Sequence, residues 1–250
     1  MRNLIKMERY KLFHDKLFLA LLIAYAVLGF TGSGGYKLSY STVDDISIRV
    51  DSLYTLFNAM AADMLILLVP AGAMLALVTG REFSGRNISQ LISSGHARWQ
   101  ILLAKAVVFL PAYAFAALCF PFGGTIREIG NYSLTEPGLL LLHIVRNALY
   151  LWFLVMALFS LSMVFGFVIQ NGVAAGIAGM ITHFGLMYLF ATLAGFGMHH
   201  INAVLPLYHM RYILKPTLPF LQITPILVGV LWLVAGFSFI WYKFKRSDIK

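Results

Sequence analysis

Six apolar stretches, at about 17–36, 58–80, 100–122, 146–169, 173–195 and 222–242, dominate the chain, and each is long enough to cross a bilayer's hydrocarbon core as a helix. A backbone in lipid must satisfy its own polar groups, so apolar runs of this length read as helices rather than open sheet. The connections between them are too short for a separate domain. The expected fold is an all-α integral membrane protein, a single transmembrane domain over 1–250 with six spans. Composition agrees: the chain is 60% hydrophobic and 12% charged, with mean hydropathy +0.81, more apolar surface than a soluble core of this length needs. The third span contains Pro111 and Pro121, which a membrane helix tolerates where neighbours take up the freed carbonyls.

The formal net charge of +9 invites a nucleic-acid reading, but its placement argues against one. The basic residues flank apolar spans, and no basic run interleaved with aromatics faces water, so no nucleic-acid partner is expected. With both termini inside, the cytoplasmic parts hold Arg2, Lys6, Arg9, Lys11 and Lys16, then Arg81, Arg86, Arg98 and Lys105, then Lys243, Lys245, Arg246 and Lys250. Thirteen of the 19 basic residues then face four acids (Glu8, Asp15, Glu82 and Asp248), while six basic and six acidic residues balance outside. The whole excess falls on one face, which predicts cytoplasmic termini. The basic start, the apolar run and Ala24-Tyr25-Ala26 together resemble a cleavable signal. That triplet lies inside the run rather than after it, so the first span is expected to be retained. Cys119 stands alone, which excludes an intrachain disulfide and a cysteine metal site.

Few side chains suggest chemistry. Gly80 and Gly85 have the spacing of a phosphate-binding loop, but Arg86 and Asn87 follow where lysine and serine or threonine are required, and a membrane helix precedes. Any nucleotide must be hydrolysed elsewhere. His199, His200 and His209 could suggest a metal, yet adjacent histidines on a helix diverge by about 100° and no acid or cysteine sits near, so interfacial packing is the expected role. His183, in mid-span beside Thr182, must find a partner at that depth. A helix-to-helix hydrogen bond is favoured over a proton relay or substrate contact. Asp63, near the outer end of the second span, is shallow enough to stay hydrated. No serine, zinc or paired-aspartate protease signature is present, and intramembrane ionisable residues are too sparse for an ion-coupled carrier. Small residues recur at Gly72, Ala76 and Gly80 and at Gly172 and Gly176, which predicts close helix packing within the chain. Val43, Ile46, Val50, Leu53 and Phe57 recur at steps of three and four, which predicts an outer amphipathic helix with Asp44, Asp45, Arg49 and Asp51 on its other face.

Between the second and third spans lies a polar, basic island, Arg81 to Gln100. Asn87 to Ser93 reads as a short helix with Ile88, Leu91 and Ile92 on one face, and Gly95 can end it in a left-handed cap. Arg98 and Trp99 suit the headgroup level, with Lys105 just inside. Two readings fit the apolar face of this nub: it enters a cavity on a partner protein, or it lies flat on lipid headgroups.

The run Gly80-Arg81-Glu82-Phe83-Ser84-Gly85, then Ile88, then Leu91-Ile92-Ser93-Ser94-Gly95-His96 to Arg98, then Ile101 and Lys105, resembles the coupling segment of ABC type-2 permeases. Glu8-Arg9-Tyr10-Lys11-Leu12 resembles that family's N-terminal interfacial elbow, and Phe244 to Ile249 its frequent C-terminal motif. The chain departs at Arg86-Asn87, where the family usually has threonine followed by isoleucine or valine. The length and the Ile92 to Arg98 stretch resemble Gram-positive permeases for lantibiotic immunity and antimicrobial-peptide export.

The resemblance implies the membrane subunit of an ATP-driven exporter in a bacterial plasma membrane. It would be paired with a second permease subunit, identical or sibling, and with cytosolic ABC ATPases that carry the ATP and magnesium; this chain would hold no cofactor and would itself be no enzyme. Glu82, Phe83, Gly85, Arg86, Ile88, Leu91, Ile92, Gly95 and Arg98 would form the ATPase-coupling surface. Glu8, Lys11, Trp99 and Lys105 would anchor the elbow and loop at the membrane. The substrate would be amphipathic, a peptide or lipid-like molecule, with His183 as a weak candidate contact. The alternative is a non-transporting membrane protein, such as an intramembrane enzyme or a sensor partner, for which His183 is the one available catalytic group.

Overall fold

A computed structural model describes residues 1–38, 40–43, 46–85, 87–132, 137–214 and 221–246, with the side chains of 37–49 not described. Among the described residues, six helical segments are long and apolar enough to cross a membrane: Lys16–Tyr36, Leu53–Ser84, Arg98–Asn131, Pro137–Ile169, Gly172–Gly195 and Ile223–Arg246. They coincide with the six expected spans, and the second, third and fourth extend well beyond them. At 33 residues, Pro137–Ile169 is about 50 Å long, against roughly 30 Å of hydrocarbon, so it must tilt or project beyond the apolar zone.

In chain order the helices are α1 (Arg2–His14), α2 (Lys16–Gly32), α3 (Leu53–Asp63), α4 (Leu68–Ser84), α5 (Asn87–Ser93), α6 (Arg98–Glu128), α7 (Pro137–Ile169), α8 (Gly172–Gly195), α9 (His199–Asn202), α10 (Pro206–Tyr212) and α11 (Ile223–Arg246). A 3-10 turn, Met64–Leu67, joins α3 to α4 within the second span. Between α2 and α3, an antiparallel pair, β1 (Tyr40–Val43) and β2 (Ile46–Arg49), sets Val43 opposite Ile46 and Tyr40 opposite Arg49. The expected amphipathic helix from Val43 to Phe57 is therefore not formed: its first part is this hairpin, and helix begins only at Leu53. Ile46, Ile48 and Val50 also alternate with Ser47 and Arg49 at period two, and β-branched residues favour the extended form. Asp44 and Asp45 lie outside the described residues. Ser52 then caps α3, its hydroxyl accepting from the Thr55 amide at 3.2 Å.

Small residues set the packing. On α4 and α8, Gly72 and Gly80 face α8, and Gly172, Gly176 and Gly179 face α4. A Cβ on Gly80 would lie 2.9 Å from the Asn171 carbonyl oxygen, and one on Gly179 3.1 Å from the Ala76 Cβ. The row of small residues thus packs within the chain. The α2–α6 contact is as close, since a Cβ on Gly123 would sit 2.6 Å from the Ala26 carbonyl oxygen. His183 is 2% exposed at the α4–α7–α8 junction. Its Nδ1 donates to the Gly179 carbonyl at 2.8 Å, which leaves Nε2 to accept from the Ser162 hydroxyl on α7 at 3.4 Å. The buried histidine has its helix-to-helix partner.

The α7–α8 connection is the tight turn Gln170-Asn171, with Gln170 in the left-handed region (φ 56°) and the Asn171 side chain accepting from the Ala174 amide at 3.1 Å. At the other end of the bundle, Asn147 donates to Asn58 at 2.9 Å, Asn58 donates to the Leu214 carbonyl at 3.1 Å, and Arg146 donates twice to Asn147, at 2.9 and 2.7 Å. This buried network pins α3, α7 and the segment after α10 together. From the sequence, Arg146 reads only as a residue of the outer flank.

Candidate functional site

The candidate site lies at the bundle end that carries both described chain ends. On α1, Leu4, Glu8 and Leu12 fall four apart and are buried, so a carboxylate occupies the middle of an apolar stripe. Leu4 packs with Ile101 and Ala104 of α6. The helix stops at Asp15, whose backbone is extended (φ −77°, ψ 113°) and whose carboxylate accepts from the Leu17 amide at 2.8 Å, capping α2.

The buried stripe brings Glu8 to Lys105. Glu8 is 0% exposed and Lys105 1%, and the Lys105 ammonium donates to Glu8 Oε2 at 2.9 Å. The same ammonium donates to Glu82 Oε2, at the end of α4. Lys11, half-buried, lies 3.9 Å from the second oxygen of each carboxylate. Two carboxylates and two ammoniums thus neutralise each other where water is nearly excluded, and charged groups in such a place must pair. The cluster ties α1, the end of α4 and the start of α6 together. Lys105 therefore does not serve as a headgroup anchor: it points inward because two buried carboxylates outbid the lipid surface. Trp99 is exposed, as an interfacial residue would be.

A second knot sits beside it. The Phe83, Phe167 and Phe244 rings pack edge to face, with centroids 5.3, 6.0 and 5.1 Å apart, joining the ends of α4, α7 and α11. Arg98, at the start of α6, donates to the Phe244 carbonyl at 2.6 Å and to the Lys245 carbonyl at 3.0 Å, and lies 5.7 Å over the Phe244 ring. It satisfies carbonyls at the end of α11, where the helix dipole favours a cation. Phe167 is the member of this knot that sequence reasoning did not single out; nothing distinguishes it from the other aromatics of the fourth span.

Between these knots runs α5. Gly95 adopts φ 89°, its amide bonds to the Ile92 carbonyl at 3.0 Å, and the His96 amide bonds to the Leu91 carbonyl at 3.1 Å, the expected left-handed cap. The apolar face turns in part toward the bundle. Ile88 is 0% exposed in the main core, and Leu91 and Ile92 pack beside Leu4, Ile101 and Ala104. Part of the stripe is therefore taken up within the chain, against the ends of α4 and α6 and beside Leu4 of α1, while Leu91 and Ile92 keep part of their surface open. What α5 and its flanks leave exposed is polar or small: Ser84, Gly85, Asn87, Gln90, Ser93, Ser94 and Gly95, with Arg81 beside them. Arg86, and the motif residues from Ser247 onward, lie outside the described residues.

No group of three or more histidine, cysteine or acidic residues that could hold a metal occurs among the described residues. His199 and His200 are exposed, whereas His209 is 4% exposed with its Nε2 donating to the Ala203 carbonyl at 2.8 Å. Burial holds the His209 imidazole below its ordinary pKa, partly offset by that hydrogen bond. The arrangement is a set of buried ion pairs and packed rings that ties α1, α4, α6, α7 and α11 together at one end of the bundle. Compared with known proteins, the chain matches no family model and no curated protein.

Proposed function

We propose that the chain is the permease subunit of an ATP-driven exporter, set in a bacterial plasma membrane with both ends in the cytoplasm. It works with cytosolic ABC ATPases and a second permease subunit, and it moves an amphipathic substrate such as a peptide or lipid-like molecule. The observation that carries this reading is the buried Glu8–Lys105–Glu82 cluster. It fuses the N-terminal helix, the end of α4 and the start of α6, so a push on α5 is not absorbed locally and shifts whole spans between packings. The polar outer face of α5 and the turn after it, at Asn87, Gln90 and Ser94, is the surface an ATPase would touch. The resemblance of the Gly80 to Lys105 segment to ABC type-2 coupling segments supports the same reading. The excess of basic residues at this end supports its cytoplasmic placement. An intramembrane enzyme is disfavoured, since both nitrogens of His183 are engaged in helix packing.

The test is co-purification with a cytosolic ABC ATPase co-expressed with the chain. The double variant Gln90→Arg/Ser94→Arg changes only exposed positions and should lower association by about tenfold, the effect of losing roughly 1.4 kcal/mol, and abolish transport while the permease stays folded. Association and transport both at the level of the unmodified protein would refute the reading.

A further inference from the structure

At the bundle end opposite the termini, a cleft of about 490 Å³ opens between the second span, α8 and α10. Its walls are apolar, formed by Leu65, Ile66, Met187, Phe190, Ala191 and Leu207 among others, but two charged side chains of opposite sign, Asp63 and Arg211, line it as well. Arg211 finds no acceptor among the described residues: its Nε is buried without a hydrogen-bond partner, and the guanidinium sits 5.6 Å over the Phe190 ring. A buried donor without an acceptor calls for a ligand that supplies one. Asp63 is exposed and, among the described residues, accepts one hydrogen bond, from the Tyr36 hydroxyl at 2.6 Å, which leaves acceptor capacity on its carboxylate.

Depth fits a headgroup. Asp63 lies about 30 Å along the helix from Ser84, and Phe190 about 27 Å along α8 from Gly172, so the charges fall roughly one hydrocarbon thickness from the basic end. Ile66 and Ala191 are exposed on the cleft's rim, so an acyl chain can enter from the side.

We propose that this cleft binds a zwitterionic phospholipid, its phosphate on Arg211, its ammonium on Asp63 and its acyl chain along Phe190 and Met187. A guanidinium pairs with phosphate more strongly than any neutral donor does, and an acid beside it selects a headgroup carrying a primary amine. The inference goes beyond the transport reading and stands or falls separately, because its readout is lipid retention by the full chain with no ATPase present.

The experiment is native mass spectrometry of the purified chain, loaded with phosphatidylethanolamine or phosphatidylglycerol. The unmodified protein should retain phosphatidylethanolamine about tenfold better, the scale of one charge-assisted contact. Asp63→Asn should erase that preference while keeping phosphatidylglycerol, and Arg211→Gln should lower retention of both lipids about tenfold. Ala191→Trp, which fills the cleft from its exposed side and leaves both charges in place, guards against misfolding and should also lower retention of both. Equal retention of the two lipids by the unmodified protein, or retention indifferent to Ala191→Trp, would overturn the proposal. So would displacement of the lipid by an equal concentration of soluble glycerophosphoethanolamine, because the apolar wall would then contribute nothing.

Discussion

Replacing Lys105 with methionine isolates the buried ion cluster. Methionine keeps the unbranched stem, so packing against α1 and Phe109 changes little while the ammonium is removed. That leaves Glu8, 0% exposed, and Glu82, 8% exposed, without their shared donor. Lys11 cannot substitute, since its half-exposed ammonium is 3.9 Å from one oxygen of each. Removing one member of a buried ionic cluster typically costs about 3–5 kcal/mol, most of it from stranding the opposite charge. The triple variant Glu8→Gln/Glu82→Gln/Lys105→Met removes both stranded carboxylates, leaves only the partly exposed Lys11 ammonium, and should recover most of that loss, to within about 1–2 kcal/mol of the unmodified protein. Equilibrium unfolding in mixed detergent, followed by the fluorescence of the four tryptophans, reads both numbers. A single variant costing under about 1 kcal/mol would mean the cluster is solvated, and a triple variant as damaged as the single would mean Lys105 acts by packing. Either result refutes the electrostatic account and removes the main support for treating α1, α4 and α6 as one unit.

Two further outcomes follow from packing and titration. A Cβ on Gly72 would lie 2.7 Å from the His183 ring and 2.9 Å from the Ser162 hydroxyl, so Gly72→Ala should cost about 1–3 kcal/mol in the same assay, part of it restored by His183→Ala in the same chain. His209 is held below its ordinary imidazole pKa of 6.5 by burial, so the unfolded chain takes up its proton first. The stability it contributes is complete above pH 6.5 and is lost as pH falls through the lowered native value, at no more than about 1.4 kcal/mol per pH unit; His209→Asn should flatten that part of the pH profile.

What the sequence made legible follows the strength of each physical constraint. Span positions were readable because twenty apolar residues have one solution in lipid, and the Gly95 cap because a left-handed residue after a short apolar stripe has few alternatives. The hairpin was not, since Val43 to Phe57 satisfies periods of two and of three to four at once, and only the pairing of Tyr40–Val43 with Ile46–Arg49 decides between them. The site shows the same boundary more sharply. A stripe of Ile88, Leu91 and Ile92 says that an apolar partner exists but not whether it belongs to the same chain. The structure gives Ile88 to the chain's own core and sets Leu91 and Ile92 beside Leu4 of α1 and Ile101 and Ala104 of α6, and the α1 stripe of Leu4, Glu8 and Leu12, which sequence reasoning did not single out, buries a carboxylate in need of a cation. Read together, those two stripes and the lone lysine inside the third span are one statement: three elements, each carrying something it cannot leave in lipid or water, satisfy one another. That leaves the polar side of α5 as the face still open to a partner. On the proposed reading an ATPase would meet that face through hydrogen bonds and shape, with the Arg81 charge beside them, and variants of Asn87, Gln90 and Ser94 should disturb association at little cost to folding, whereas variants of Ile88 should unfold the end of the bundle before they reveal anything about a partner.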